Sequence, residues 1–178
     1  RCPPAPYERG SLIAHYLKTK KPRSKVLILD AKDNFSQQRL FEKAWKELYG
    51  DMIERIGLSQ GGRVTSVDPA TMTIVTEFGN YTPDVANVIP PQRAGRIAEI
   101  AGAADTTGWC PIDPVSFESK LVKGIHVIGD ACLGGGIPKS ASAASGQGKA
   151  CAAAIIRLLA GRAPETPRFT GVCYNTVA

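Results

Sequence analysis

The sequence predicts an α/β fold, and three observations carry that reading. Two continuous apolar runs closed by an acid, residues 25–30 and 124–130, read as buried parallel strands. Apolar residues recur at helical spacing over 7–19, 36–49 and 140–160. Helices and strands alternate along the chain, as in layered α/β proteins.

Each element has its own signals. Pro6 suits the first turn of a helix over 7–19, with Leu12, Ile13, Tyr16 and Leu17 at helical spacing and Pro22 beyond its end. Val26-Leu27-Ile28-Leu29 then reads as a strand ending in Asp30. Ser36 can cap the second helix, and Phe35 with Leu40 forms a hydrophobic staple. Leu40, Phe41, Ala44, Trp45 and Leu48 form its inner face, and Gly50 stops it. Residues 63–67 and 72–76 flank Asp68-Pro69-Ala70-Thr71, the pattern of a β-hairpin. Residues 84–89 read as another strand, broken by Pro90-Pro91. A linker is expected at 90–108, where strand chemistry gives way to Gly, Ala and Pro. After the strand 124–130 come Gly134-Gly135-Gly136 and an Ala-rich helix from Ser140 to about Ala160, stopped by Gly161.

Composition bounds the function. The 178 residues are 43% hydrophobic and 21% charged, a globular balance. Gly 18 and Pro 13 make the chain loop-rich. No apolar run approaches the roughly 18 residues of a membrane span, and no signal peptide opens the sequence. The net charge of +6 is concentrated at the front, where residues 1–30 hold seven Lys/Arg against two acids. No aromatic residues interleave with Lys18, Lys20, Lys21, Arg23 and Lys25, so this run reads as a solvated helix end, not a nucleic-acid surface. Cys2, Cys110, Cys132, Cys151 and Cys173 form no CxxC pair, and neither His15 nor His126 adjoins one, which argues against zinc.

Two segments can carry chemistry. Gly129-Asp130 closes a strand just before a helix, where ligands of open α/β sheets sit. A carboxylate there can accept hydrogen bonds from ribityl hydroxyls, and helix N–H groups can face the N1–C2=O edge of a flavin. The same dipeptide is also common in plain strand-to-helix turns. The second segment, residues 2–9, sits where a βαβ unit carries its phosphate loop. It holds three prolines and lacks the glycines a dinucleotide loop needs, so NAD binding is not expected and Asp30 reads as a strand-end acid. Cys2 at this helix start and Glu8 one turn inside it are either a nucleophile beside a base, or a buried thiol and a capping carboxylate.

Several runs resemble one family in order along the chain. They are Arg-Cys-Pro-Pro-Ala-Pro-Tyr-Glu-Arg (1–9), Ser-Lys-Val-Leu-Ile-Leu-Asp (24–30), Asp-Val-Ala-Asn-Val-Ile-Pro-Pro-Gln (84–92), Gly-Trp-Cys-Pro-Ile-Asp (108–113), Gly-Ile-His-Val-Ile-Gly-Asp-Ala (124–131) and Cys-Tyr-Asn (173–175). Together they are similar to the flavin subunit of flavocytochrome c sulfide dehydrogenase. The resemblance implies an incomplete glutathione-reductase-like fold. Residues 1–87 would be the NAD-like central domain, 88–163 the C-terminal part of the FAD domain, and 164–178 the start of an interface domain.

It also implies an FAD-dependent, periplasmic oxidation of sulfide with a c-type cytochrome subunit as acceptor. Cys2 and Cys173 would be the redox disulfide, with Glu8 beside them. Gly129, Asp130, Ala131, Lys139, Ser140, Pro90 and Pro91 would contact the cofactor. Cys132 departs from the family's pattern and is either an added thiol close to the expected flavin edge or a small buried residue, and Cys110 and Cys151 read as structural. The FAD fingerprint Gly-x-Gly-x-x-Gly is absent from these residues, so a fragment is expected. The alternatives are a sulfide:quinone oxidoreductase relative and a non-catalytic basic binding fragment.

Overall fold

The computed structural model describes residues 4–136, 139–169 and 176–177. The chain divides into two compact units. The described part of one is residues 4–89 with 176–177, and of the other residues 90–169.

In the first unit, helix α1 (Ala5–Lys20) leads into strand β1 (Val26–Leu29), helix α2 (Gln38–Tyr49) and strand β2 (Ile53–Ile56). β1 and β2 pair in parallel, Val26 opposite Ile53 through Leu29 opposite Ile56. This is the β-α-β crossover that parallel strands require. Pro6 lies in the first turn of α1, and Lys18 and Lys20 occupy its last turn, where the helix dipole favours cations. Gly10 lets α1 lie close on β1: a Cβ there would come within 3.0 Å of Ile28 Cδ1. Buried Tyr7, Phe41 and Trp45 form the core, with Phe35 and Ile28 packed on them. Strands β3 (Val64–Asp68), β4 (Thr73–Thr76) and β5 (Asn80–Tyr81) make an antiparallel sheet. Its first turn is held by the Asp68 carboxylate, which accepts from Ala70 N–H at 2.9 Å and Thr71 Oγ1 at 2.8 Å.

The second unit contains helix α3 (Arg96–Ile100), strands β6 (Cys110–Pro111) and β7 (Cys132–Leu133), and helix α4 (Ala141–Leu159). β6 and β7 pair in parallel. Ser140 caps α4 by accepting from Ala143 N–H, the usual role of an N-cap serine. Ile112, Phe117, Cys132 and Cys151 form the core.

Several expectations need correction. Ser36 does not cap α2; Gln37 does, in a left-handed conformation and without a side-chain bond. Leu40 and Leu48 are exposed, and Phe35 stacks on Tyr7 with ring centroids 3.5 Å apart. Residues 84–89 form no strand, and Val85 is 83% exposed. Pro83 and Pro90 flank this run, and without a paired neighbour an extended segment has no ladder to join. Residues 124–130 are not a buried strand either. Gly124 and Gly129 have φ of 78° and 71°, and the run between them pairs through an isolated bridge, Glu118 to His126, with Val127 N–H bonded to Phe117 C=O and Ser119 N–H to Ile125 C=O, rather than through a ladder. Strand β2 was not anticipated; its Ile-Glu-Arg-Ile pattern follows neither a strict alternation nor a continuous apolar run.

Candidate functional site

In the first unit the polar centre is Asp30, at the C-terminal end of β1. It is 8% exposed. Its Oδ2 accepts from Tyr7 Oη at 2.6 Å and from Arg55 Nε at 3.0 Å, and its Oδ1 accepts from Lys32 N–H at 3.2 Å. The Arg55 guanidinium also donates to Lys32 C=O at 2.5 Å and lies over the Phe35 ring. A buried charge needs such a set of partners. Burial pushes the Tyr7 phenol far above its ordinary range, and the Asp30 hydrogen bond adds to the rise. Beside this cluster Gly62 approaches the ends of both strands, where a Cβ would lie 1.9 Å from Ile56 O. The carboxylate that a dinucleotide-binding unit offers to a ribose is here engaged by the protein's own donors. Tyr7 and Arg55 were missed from sequence because the partners lie 23 and 25 positions from Asp30.

Glu8 is half-buried on the first turn of α1 and its carboxylate accepts the Thr176 N–H at 2.7 Å. One turn further, the Ser11 hydroxyl donates to Val177 C=O at 2.8 Å and accepts from Trp45 Nε1 at 2.8 Å. Residues 176–177 are thereby fastened along α1. Cys2 and Cys173 lie outside the described residues.

In the second unit Gly129, Cys132, Gly134, Lys139 and Gln147 line a cavity of about 240 Å³. Gly129 opens a 3₁₀ turn through Ala131 and donates its N–H to Gln147 Oε1 at 2.5 Å. Lys139 Nζ donates to the carbonyls of Asp130 and Cys132 and sits 4.0 Å from the centre of the Trp109 ring. The Cys132 thiol donates to Gly129 C=O at 3.1 Å. Burial raises the Cys132 thiol above the usual range, and the Lys139 ammonium opposes that rise. Gly129, Asp130, Ala131, Lys139 and Ser140 are thus gathered at the entry to α4. Pro90 and Pro91 are exposed and are not among the described residues that line this cavity. Trp109 and Gln147 belong to the site and had no motif to announce them.

This site suits one edge of a flavin. A helix N-terminus and the Lys139 ammonium supply positive charge for an electron-rich carbonyl edge. The cavity is below the roughly 300–1,000 Å³ of pockets that hold a whole ligand, so it can cradle only part of a dinucleotide. Among the described residues no group of three His, Cys, Asp or Glu side chains converges as a metal site.

Residues 1–90 match the family described as the central region of the sulfide dehydrogenase (flavocytochrome c) flavoprotein chain. The chain is therefore a mixed α/β protein of the oxidoreductase flavoproteins. It belongs to the family of the flavoprotein chain of sulfide dehydrogenase of the flavocytochrome c type. That family works in a complex with a cytochrome. Among the described residues no helix is long and apolar enough to cross a membrane.

Proposed function

We propose that this chain is part of an FAD-dependent sulfide:cytochrome c oxidoreductase working in the periplasm, in which Cys2 and Cys173 form the redox disulfide. The observation that carries the reading is the fastening of residues 176–177 to Glu8 and Ser11 of α1, two residues that lie within the stretch 1–90 that matches the family. Cys173 is three residues from Thr176, a reach of at most roughly 11 Å. Cys2 is six residues from Glu8. Chain length therefore permits the two sulfurs to meet.

Hydrosulfide attacks one sulfur of the pair, which leaves a persulfide on that cysteine and a thiolate on the other. FAD, when bound, would supply a two-electron acceptor able to pass electrons singly to a haem. Glu8, which accepts the Thr176 N–H, would move a proton for the pair. Asp130 would accept hydroxyl hydrogen bonds from the cofactor, and the entry to α4 would hold its carbonyl edge. The glutathione-reductase-like domain plan, with its parts at 1–87, 88–163 and 164–178, belongs to the same reading.

An optical spectrum of the full-length protein before and after sulfide tests it. Bleaching of flavin bands followed by reduction of an added c-type cytochrome supports the proposal. Reduction of a quinone with no cytochrome reduction overturns the acceptor, and a colourless protein overturns the flavin.

A further inference from the structure

Cys110 and Cys132 are direct partners in the β6–β7 ladder. Both thiols are free, and the residues are 0% and 4% exposed. Partners across a ladder point their side chains to the same face, with strands about 4.8 Å apart. Disulfides join Cα atoms separated by about 4.4–6.8 Å, and directly paired ladder partners such as Cys110 and Cys132 have Cα spacings in that range. We propose that Cys110 and Cys132 are a second dithiol of this chain, which oxidises to a disulfide by exchange with a small disulfide.

The step balances without any further reactant. One thiolate attacks the small disulfide and releases one small thiol. The second cysteine then displaces the other small thiol from the mixed disulfide. Two S–H bonds are lost, one S–S bond joins β6 to β7, and the small disulfide is reduced to two thiols. Burial raises both thiols above their usual range, so the exchange is slow at neutral pH and speeds up as pH rises. The consequence reaches the cavity. Cys132 lines it and its S–H donates to the Gly129 carbonyl; the disulfide has no such proton. Oxidation thus removes a hydrogen bond from the turn that carries Asp130. The dithiol stands on the ladder geometry alone, while its effect on a flavin rests on the function proposed above.

The test uses the full-length protein equilibrated with oxidised and reduced glutathione at about pH 8.5, the ordinary thiol pKa, in sub-denaturing urea that opens buried sites. Thiols are then alkylated under denaturing conditions and mapped by mass spectrometry. The expected result is a cross-linked Cys110–Cys132 peptide that rises with the oxidised fraction, with Cys151 alkylated throughout. In Cys110→Ser, Cys132 should carry glutathione or remain a thiol. Full alkylation of both cysteines at the most oxidising ratio overturns the proposal, as does a bridge from Cys132 to Cys151. Flavin absorbance is recorded in parallel. A cross-link with unchanged flavin bands leaves the dithiol standing and removes its link to the cofactor.

Discussion

The Tyr7 hydroxyl donates to the Asp30 carboxylate at 2.6 Å, joining the first turn of α1 to the end of β1. Arg55, whose side chain is 10% exposed, completes the pair from the end of β2. Three elements, α1, β1 and β2, are thus tied by one buried carboxylate. Removing Asp30 leaves a nearly buried guanidinium without its counter-charge. In the full-length protein Asp30→Ala should cost about 3–5 kcal/mol, and Tyr7→Phe roughly 1.5–3 kcal/mol because its acceptor is charged. Urea unfolding measures both; two variants as stable as the parent would show that the network contributes nothing net.

The same tyrosine sets an alkaline limit. Its phenol is raised in the folded state, so its contribution is complete below the unfolded value of about 10 and is lost as pH rises above it. The urea midpoint should fall faster above about pH 10 in the parent than in Tyr7→Phe. Parallel profiles for the two proteins would refute the assignment.

NADH should not bind productively to the unit built on α1, β1, α2 and β2. Prolines occupy the segment before α1, and Asp30 already accepts from Tyr7, Arg55 and Lys32. Titration calorimetry with the full-length protein should show no saturable heat. Tight binding together with NADH-driven flavin reduction would overturn this.

Glu8→Gln separates holding from proton transfer. Glutamine keeps an oxygen that can accept the Thr176 N–H, so stability should change little. It cannot take up a proton, so sulfide-dependent cytochrome reduction should fall about 10²-fold or more. Full activity in Glu8→Gln with loss in Glu8→Ala would make Glu8 a tether only. Cys2→Ser and Cys173→Ser should each abolish turnover with the fold intact, and an unchanged rate in both would rule them out as the catalytic pair.

Asp130→Ala should weaken flavin retention, each lost hydroxyl hydrogen bond being worth roughly 0.5–1.5 kcal/mol. Flavin occupancy after gel filtration and the position of the flavin bands are the readouts. Unchanged occupancy, spectrum and turnover would show that Asp130 does not serve the cofactor.

The sequence by itself determined what local chemistry can specify. Pro6 and the apolar spacing of residues 7–19 define α1, Asp68-Pro69-Ala70-Thr71 defines the hairpin turn, and Ser140 with Gly161 brackets α4. Its motif order also pointed to the family that residues 1–90 match. Tertiary structure decided what depends on partners distant in the chain. Phe35 satisfies Tyr7 instead of Leu40, since stacking two aromatic rings in a core outweighs a local staple at the surface. Residues 124–130 look like a strand, yet strand formation needs a neighbour's backbone, and glycines at positive φ bend the run before one can pair along it. Asp30 reads as a strand-end acid until Arg55 arrives from β2. Cys110 and Cys132, 22 positions apart, become partners only through the register of a two-residue ladder. Local spacing encodes helices and turns through short-range hydrogen bonds, whereas ion pairs, ladders and thiol pairs depend on which strands fold side by side.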